Sequence, residues 1–218
     1  MKNVIVISLL ILLSLFLLVD NSPENSTEII ETYPWQITIL PDGKSRIFGF
    51  ILEESTLKEV DVILKATPKV ALFELDKKIA LEAYYKNVSL GGLIGSFIFT
   101  LNASDEQHHK IKQASVKQER VENNGKRYDL DKPTSDGLKS LVIKNLIYIP
   151  TVQLDEETII KRFGKPAYKI KLKTKEKGWH YLYPEKGLDL IYKEEGKEVL
   201  QYVLPKNFNV LLAPLQSH

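Results

Sequence analysis

Two stretches of this sequence place side chains capable of chemistry close together. In the first, His180 lies between Trp179 and Tyr181 on a segment that reads as a strand, with Tyr183 two residues further on. A histidine there offers a titratable polar tip on an aromatic surface, suited to contact with a partner. The plainer reading, a hydrogen-bonded core histidine, weighs evenly against it. In the second stretch Lys169, Lys171, Lys173 and Lys175 alternate with Ile170, Leu172 and Thr174. At a period of two, all four ammonium groups project from one face of one strand. That arrangement suits anionic lipid headgroups or polyanionic envelope polymers. Lysines also protect an exposed edge strand from unwanted pairing, and this is the stronger reading.

The remaining candidates are weaker. His108 and His109 are adjacent on a helical stretch, so they point about 100° apart and do not readily share a metal; with Asp105 they could form a weak site, but a solvated helix face fits better. Gly91-Gly92 with Gly95 three residues on is the nearest approach to a phosphate loop, but no Lys-Ser/Thr follows it, and a sharp bend between strands fits better. Signatures for a nucleophilic serine, a zinc protease, a nucleotide loop or a dinucleotide fold are missing, so neither catalytic residues nor a cofactor are expected. With no cysteine in 218 residues, disulfides, thiolate metal sites and cysteine nucleophiles are excluded. Basic and acidic residues nearly balance at a net charge of +2, which gives no electrostatic case for nucleic acid.

These residues sit in a chain with a distinct front end. Val4–Val19 is apolar apart from Ser8 and Ser14, preceded by Lys2 and followed by Asp20, Glu24, Glu28 and Glu31. As a helix it would span about 24 Å, slightly under a hydrocarbon core of about 30 Å. No small-x-small cleavage site closes it, so residues 1–19 are expected to be an uncleaved signal anchor rather than a removed leader. The positive-inside rule then leaves the C-terminal domain in the periplasm, beyond the inner membrane. Residues 20–32 read as a polar linker.

Beyond the linker the pattern is α+β, in two units at 33–130 and 131–218. Trp35–Leu40 and Arg46–Leu52 form a hairpin around Pro41-Asp42-Gly43. A helix capped by Ser55 presents Leu57, Val60, Ile63 and Leu64 and stops before Pro68. Strands follow at Lys69–Leu75, Ile79–Lys86 and Ser96–Leu101, then a polar helix over Asn102–Val121, a short strand at Arg127–Leu130 and a Pro-led turn at Pro133–Leu141. The strand Leu146–Ile149 feeds the second unit. There, the helix Leu154–Phe163 ends at Gly164 and leads into a four-stranded meander turning at Gly178, Gly187 and Gly196. Strand, acidic helix start and Pro-terminated turn recur in Phe48–Pro68 and Ile147–Pro166, the mark of an old internal repeat. The last strands are apolar on both parities, so the face not covered by the Ile159–Phe163 helix is expected to pack on the first unit or to bind a partner.

Several of these segments, among them Pro34-Trp35-Gln36, Leu90-Gly91-Gly92-Leu93, Tyr148-Ile149-Pro150, Arg162-Phe163-Gly164 and Trp179–Pro184, resemble a family of uncharacterised proteobacterial membrane-anchored envelope proteins. The family pattern has His before Trp at the aromatic strand, whereas here Trp179 precedes His180. At fold level the helix-then-sheet units are similar to the outer-membrane-assembly lipoproteins of the SmpA/OmlA type and to β-lactamase-inhibitor proteins. The resemblance implies an envelope location and a binding role without a known activity. The function expected is therefore a non-enzymatic protein that binds an envelope partner or supports an assembly, with Trp179, His180, Tyr181 and Tyr183 as candidate contacts. Binding of anionic lipid or polymer through Lys169–Lys175 is the alternative. A hydrolase acting through His180 ranks third, because the sequence identifies no partner for that histidine.

Overall fold

The first turns are short and tightly specified. Pro41-Asp42-Gly43 folds β1 (Ile37–Ile39) back onto β2 (Ser45–Ile47), and the Asp42 carboxylate accepts a hydrogen bond from the Lys44 amide. Arg46–Leu52 is not one strand. Phe48 and Gly49, with φ of 55° and 82°, form a two-residue turn into β3 (Phe50–Ile51). A phenylalanine at positive φ is costly. Here the cost is offset because the fully buried ring packs on Phe97, Tyr148 and Tyr202, at centroid distances of 5.1, 4.9 and 6.3 Å.

A computed structural model describes residues 32–76, 78–121, 124–173 and 177–216. The expected anchor at residues 1–19 lies outside them, as do most of the linker and Lys175. Among the described residues no helix is long and apolar enough to cross a membrane. The fold is mixed α+β, built on one large antiparallel sheet. Its strands are β4 (Lys69–Leu75), β5 (Lys78–Leu90), β6 (Leu93–Leu101), β7 (Lys117–Arg120), β8 (Lys126–Asp129), β9 (Ile143–Pro150), β10 (Tyr168–Lys171), β11 (Gly178–Tyr183), β12 (Leu188–Lys193) and β13 (Val199–Tyr202). They are ordered β10-β11-β12-β13-β9-β6-β5-β4-β8-β7, with every neighbouring pair antiparallel. Residues 33–130 thus supply one side of the sheet and residues 131–218 the other, joined where β6 pairs with β9.

The helices α1 (Leu57–Leu64), α2 (Asp105–Gln113) and α4 (Glu156–Phe163) lie against one face, and the short α3 (Lys132–Gly137) buries none of its residues. Helices α1, α2 and α4 bury Leu57, Val60, Leu64, Ile111, Ile159 and Phe163 against the inward parity of the strands, which includes Leu72, Tyr85, Phe99, Leu146, Tyr181 and Tyr202. The N-cap of α1 is Thr56, not Ser55. Its side chain accepts from the Glu59 amide while the Glu59 carboxylate accepts from the Thr56 amide at 2.7 Å, a complete capping box. Ser55 instead accepts from the Ile51 amide at 2.9 Å.

Three further expectations change. The polar helix over 102–121 ends at Gln113, and Lys117–Arg120 is the edge strand β7. Its charges pair along the strand (Lys117 with Glu119), with Arg127 and Asp129 paired likewise on β8, so no apolar periodicity marks it. The strands expected at Ile79–Lys86 and Ser96–Leu101 run on to Leu90 and back to Leu93, so the sharp bend expected at Gly91 and Gly92 is a two-residue hairpin turn, with φ of 58° and 81°. Gly178 is not a turn residue but opens β11, where a Cβ would lie 2.2 Å from the Tyr192 carbonyl oxygen. The last element among the described residues is α5 (Asn209–Gln216).

Candidate functional site

Register assigns every strand residue to a face. One cross-strand row runs Tyr84, Ile98, Ile147, Gln201, Asp189, Leu182 and Tyr168 across β5, β6, β9, β13, β12, β11 and β10. This is the parity opposite to the core. Helix α5 covers one end of it, packing Leu211, Leu212 and Leu215 on Leu182, Val203, Phe208 and Ile170. It is this C-terminal helix, not the first unit, that covers the second parity of the meander. Away from α5, Tyr84, Ile98, Ile147, Ile149, Ile191 and Val199 remain half-buried, and Ile94 at the hairpin end is 48% exposed. The adjoining row, Glu82, Thr100 and Asn145, is polar. Burial pushes the Glu82 carboxyl above its ordinary value.

His180 stands on this outer parity, and the structure supplies the partner that the sequence could not. Asp189, 2% exposed, lies diagonally across the β11–β12 ladder, its Oδ2 and Oδ1 at 2.9 and 3.1 Å from His180 Nδ1. A carboxylate only accepts, so Nδ1 carries the hydrogen and Nε2 is the ring's remaining polar atom. Such a pair can orient an imidazole as a base. Its ladder neighbours, however, are Ile170 and Ile191, which offer no nucleophile. The pair is better suited to locking register, since a one-residue slip would carry Asp189 into the aromatic core. The missed signal was the Asp189 in an otherwise apolar strand, Leu-Asp-Leu-Ile.

The other aromatic candidates point inward. Tyr181 and Tyr183 are fully buried, and the Tyr183 hydroxyl donates to the Gly164 carbonyl at 3.0 Å. Burial raises the Tyr183 hydroxyl to about 12. Trp179 is half-buried against the same core. Trp179, Tyr181 and Tyr183 therefore build the core, while His180 alone reaches the other face.

The lysines divide as well. Register places Lys169 opposite Tyr181 and Lys171 opposite Trp179, on the inward parity at the sheet edge. The Lys169 ammonium lies 2.8 Å from Glu156 and sits over the Trp179 and Tyr181 rings at 4.7 and 5.0 Å. Its hydrogen bond holds the Glu156 carboxyl below the usual carboxylate range. Lys171 is exposed in β10, and Lys173 lies past the end of that strand. Of the described lysines of this stretch, Lys169 is therefore engaged and only Lys169 and Lys171 lie on the strand itself.

His108 is half-buried, with its Nε2 unpaired among the described residues and Nδ1 4.0 Å from Asp105, whereas His109 is exposed. Among the described residues no group of three or more His, Asp or Glu could hold a metal ion. What the geometry does assemble is a broad, partly apolar sheet face, pinned at one end by a buried His-Asp pair. Comparison with known proteins finds no matching family model, no matching curated protein and no matching solved structure.

Proposed function

We propose that this chain is a non-enzymatic, membrane-anchored periplasmic protein that binds a protein partner, or supports an envelope assembly, through the outer face of its sheet. The observation that carries the reading is the uncovered part of that face. Tyr84, Ile98, Ile147 and Ile149 come together there from three adjacent strands, with only α5 packed on that side among the described residues. A contiguous half-exposed apolar surface rimmed by polar side chains is characteristic of protein interfaces. The anchor at residues 1–19 and an old duplication of the two halves belong to the same reading. The duplication is supported by α1 and α4, each followed by antiparallel strands and each lying on the same face. Anionic contact through Lys169–Lys175 loses support because Lys169 is engaged by Glu156 and two aromatic rings.

The test is site-specific photocrosslinking in intact membranes. A photoreactive residue at Ile147 should give a discrete adduct, and one at Val62, 69% exposed on α1, should not. The paired change Tyr84→Ser and Ile98→Gln should remove the adduct without altering the melting temperature. Equal labelling from Ile147 and Val62, or an adduct that survives the paired change, would overturn the reading.

A further inference from the structure

We infer a second binding site, independent of the sheet face, on the helix-covered side: a small cavity that takes an anionic amphiphile. It has a volume of about 130 Å³ and lies between the N-terminal segment, β9 and α4, with Trp35, Leu93, Tyr148, Leu154, Arg162 and Leu200 in its wall. Its size is close to that of an engineered apolar cavity of about 150 Å³ that binds benzene, so it admits one aryl ring or an alkyl chain of similar bulk.

Two polar groups in this apolar wall define the ligand's other end. The Arg162 guanidinium lies 4.7 Å from the Trp35 ring centroid, and among the described residues it pairs with no carboxylate. A guanidinium resting on an aromatic face keeps its in-plane donors for a carboxylate or phosphate. Tyr148 is 2% exposed, and its hydroxyl has no hydrogen-bond partner among the described residues. Burial raises that hydroxyl to about 12, so it stays protonated and able to donate. Buried polar groups in folded proteins normally find partners. An apolar hole with one cation in its wall and one idle donor fits a carboxylate or phosphate carrying a short apolar group. Arg162 is held in place by the fold, because α4 is fixed through Phe163, whose ring meets Trp35 edge-on at 6.2 Å. Trp35 in turn is held by the stacked Tyr33 ring at 5.0 Å, and the Tyr202 hydroxyl donates to the Pro34 carbonyl at 2.8 Å. Such a rigid rim binds without a large ordering cost.

The experiment uses the full chain in phosphatidylcholine nanodiscs with Trp179→Phe, which leaves Trp35 as the single tryptophan of the two in the sequence. Trp35 fluorescence is titrated with hexanoate and, separately, with hexan-1-ol, which has the same chain length and no charge. Hexanoate should saturate at sub-millimolar concentration and hexan-1-ol should bind at least about tenfold more weakly, as loss of a charge-assisted hydrogen bond implies. Arg162→Gln, which removes the cation, and Leu93→Phe, which fills the cavity, should each weaken hexanoate binding by about tenfold or more. If phosphatidylglycerol added to the discs competes with hexanoate, the natural ligand is a lipid; if it does not, the ligand is a free acid, and either result retains the site. The proposal is overturned if hexanoate gives no saturable signal, if hexan-1-ol matches it, or if Arg162→Gln leaves its affinity unchanged.

Discussion

Glu198 should be the least favourable side chain in this fold, and removing its charge should stabilise the protein. It lies just before the strand β13 and is fully buried. Among the described residues neither carboxylate oxygen has a hydrogen bond of ordinary geometry, and the backbone amides of Glu198 and Leu154 face it. Burial raises its pKa above the ordinary value of 4.5. In the unfolded chain the carboxyl ionises near that ordinary value, and in the folded protein it does so at higher pH. Between the two, the folded protein holds a proton that the unfolded chain has lost. Stability from this group therefore falls as pH rises through the window, and each unit of elevation corresponds to about 1.4 kcal/mol. Glu198→Met keeps the length and removes the oxygens, so at pH 7 it should stabilise by about 1–3 kcal/mol, the cost of an unsatisfied buried polar group. At about 2–4 °C per kcal/mol, thermal melting resolves this readily. The measurement is the difference in melting temperature between variant and wild type from pH 4 to 8. The difference isolates Glu198 from Glu82, which is shifted the same way, and from Glu74 and Glu156, which their partners shift oppositely. The gain should be smallest at low pH and grow with pH. A variant less stable at pH 7, with a difference that does not change with pH, would show that the carboxylate is satisfied and would refute the reasoning.

Other outcomes follow from the same packing. Trp179→Ala, removing a half-buried core ring, should cost about 2 kcal/mol and lower the melting temperature by several degrees; unaltered melting would return that ring to the surface. Gly95→Ala should cost about 1–3 kcal/mol in urea unfolding, since its Cβ would lie 2.3 Å from Tyr148 Cε2, and adding Tyr148→Ala should relieve the clash. Thr56→Ala should lose about 1 kcal/mol with its capping box, whereas Ser55→Ala should leave the helix cap intact. Lys169→Ala should cost up to about 1 kcal/mol through its Glu156 pair and Lys171→Ala less than about 0.5, a contrast that chemical denaturation of the two single variants checks.

Local chemistry made much of this fold legible. The helix at 154–163, its end at Gly164, the strand at Lys69–Leu75 and the four-stranded meander that follows α4 all appear where periodicity and turn residues place them. Failures occurred where tertiary context overrode those signals. The Phe48-Gly49 turn is invisible because phenylalanine at positive φ is tolerated only once three other rings surround it. The strand β7 is hidden because its side chains are charged rather than apolar, and Gly178 misleads because its reason is a close carbonyl rather than a turn. For the site, the sequence correctly showed both parities of the last strands to be apolar, but it could not show which was inward. That depends on which side α1, α2 and α4 settle, and no single strand encodes it. The His180–Asp189 contact and the Trp35–Arg162–Tyr148 cavity join residues from separate elements, so neither is a motif in the linear sequence.

The two edges of the sheet bear on which surface a partner would use. An open ten-stranded sheet leaves β10 and β7 with unpaired backbone groups, ordinarily the easiest place for another chain to add. Both edge strands are only four residues long, and both are charged: Lys169 and Lys171 on one, Lys117, Glu119 and Arg120 on the other. The β7 edge is further occupied by the Lys117–Glu119 pair and by Arg127–Asp129 at 2.7 Å on the neighbouring strand. Docking an extended segment there would bury or displace these charges for few ladder hydrogen bonds. The outer face between them carries the opposite chemistry: isoleucines and a tyrosine already half-desolvated by their neighbours, with the buried Asp189 carboxylate paired to His180. Association through the face leaves each edge lysine hydrated, and association through an edge does not. A partner strand engineered to match β10 should therefore bind less tightly than a flat apolar surface presented to Ile98 and Ile147. Replacing Lys169 and Lys171 by threonine should reverse that order by making the edge adhesive.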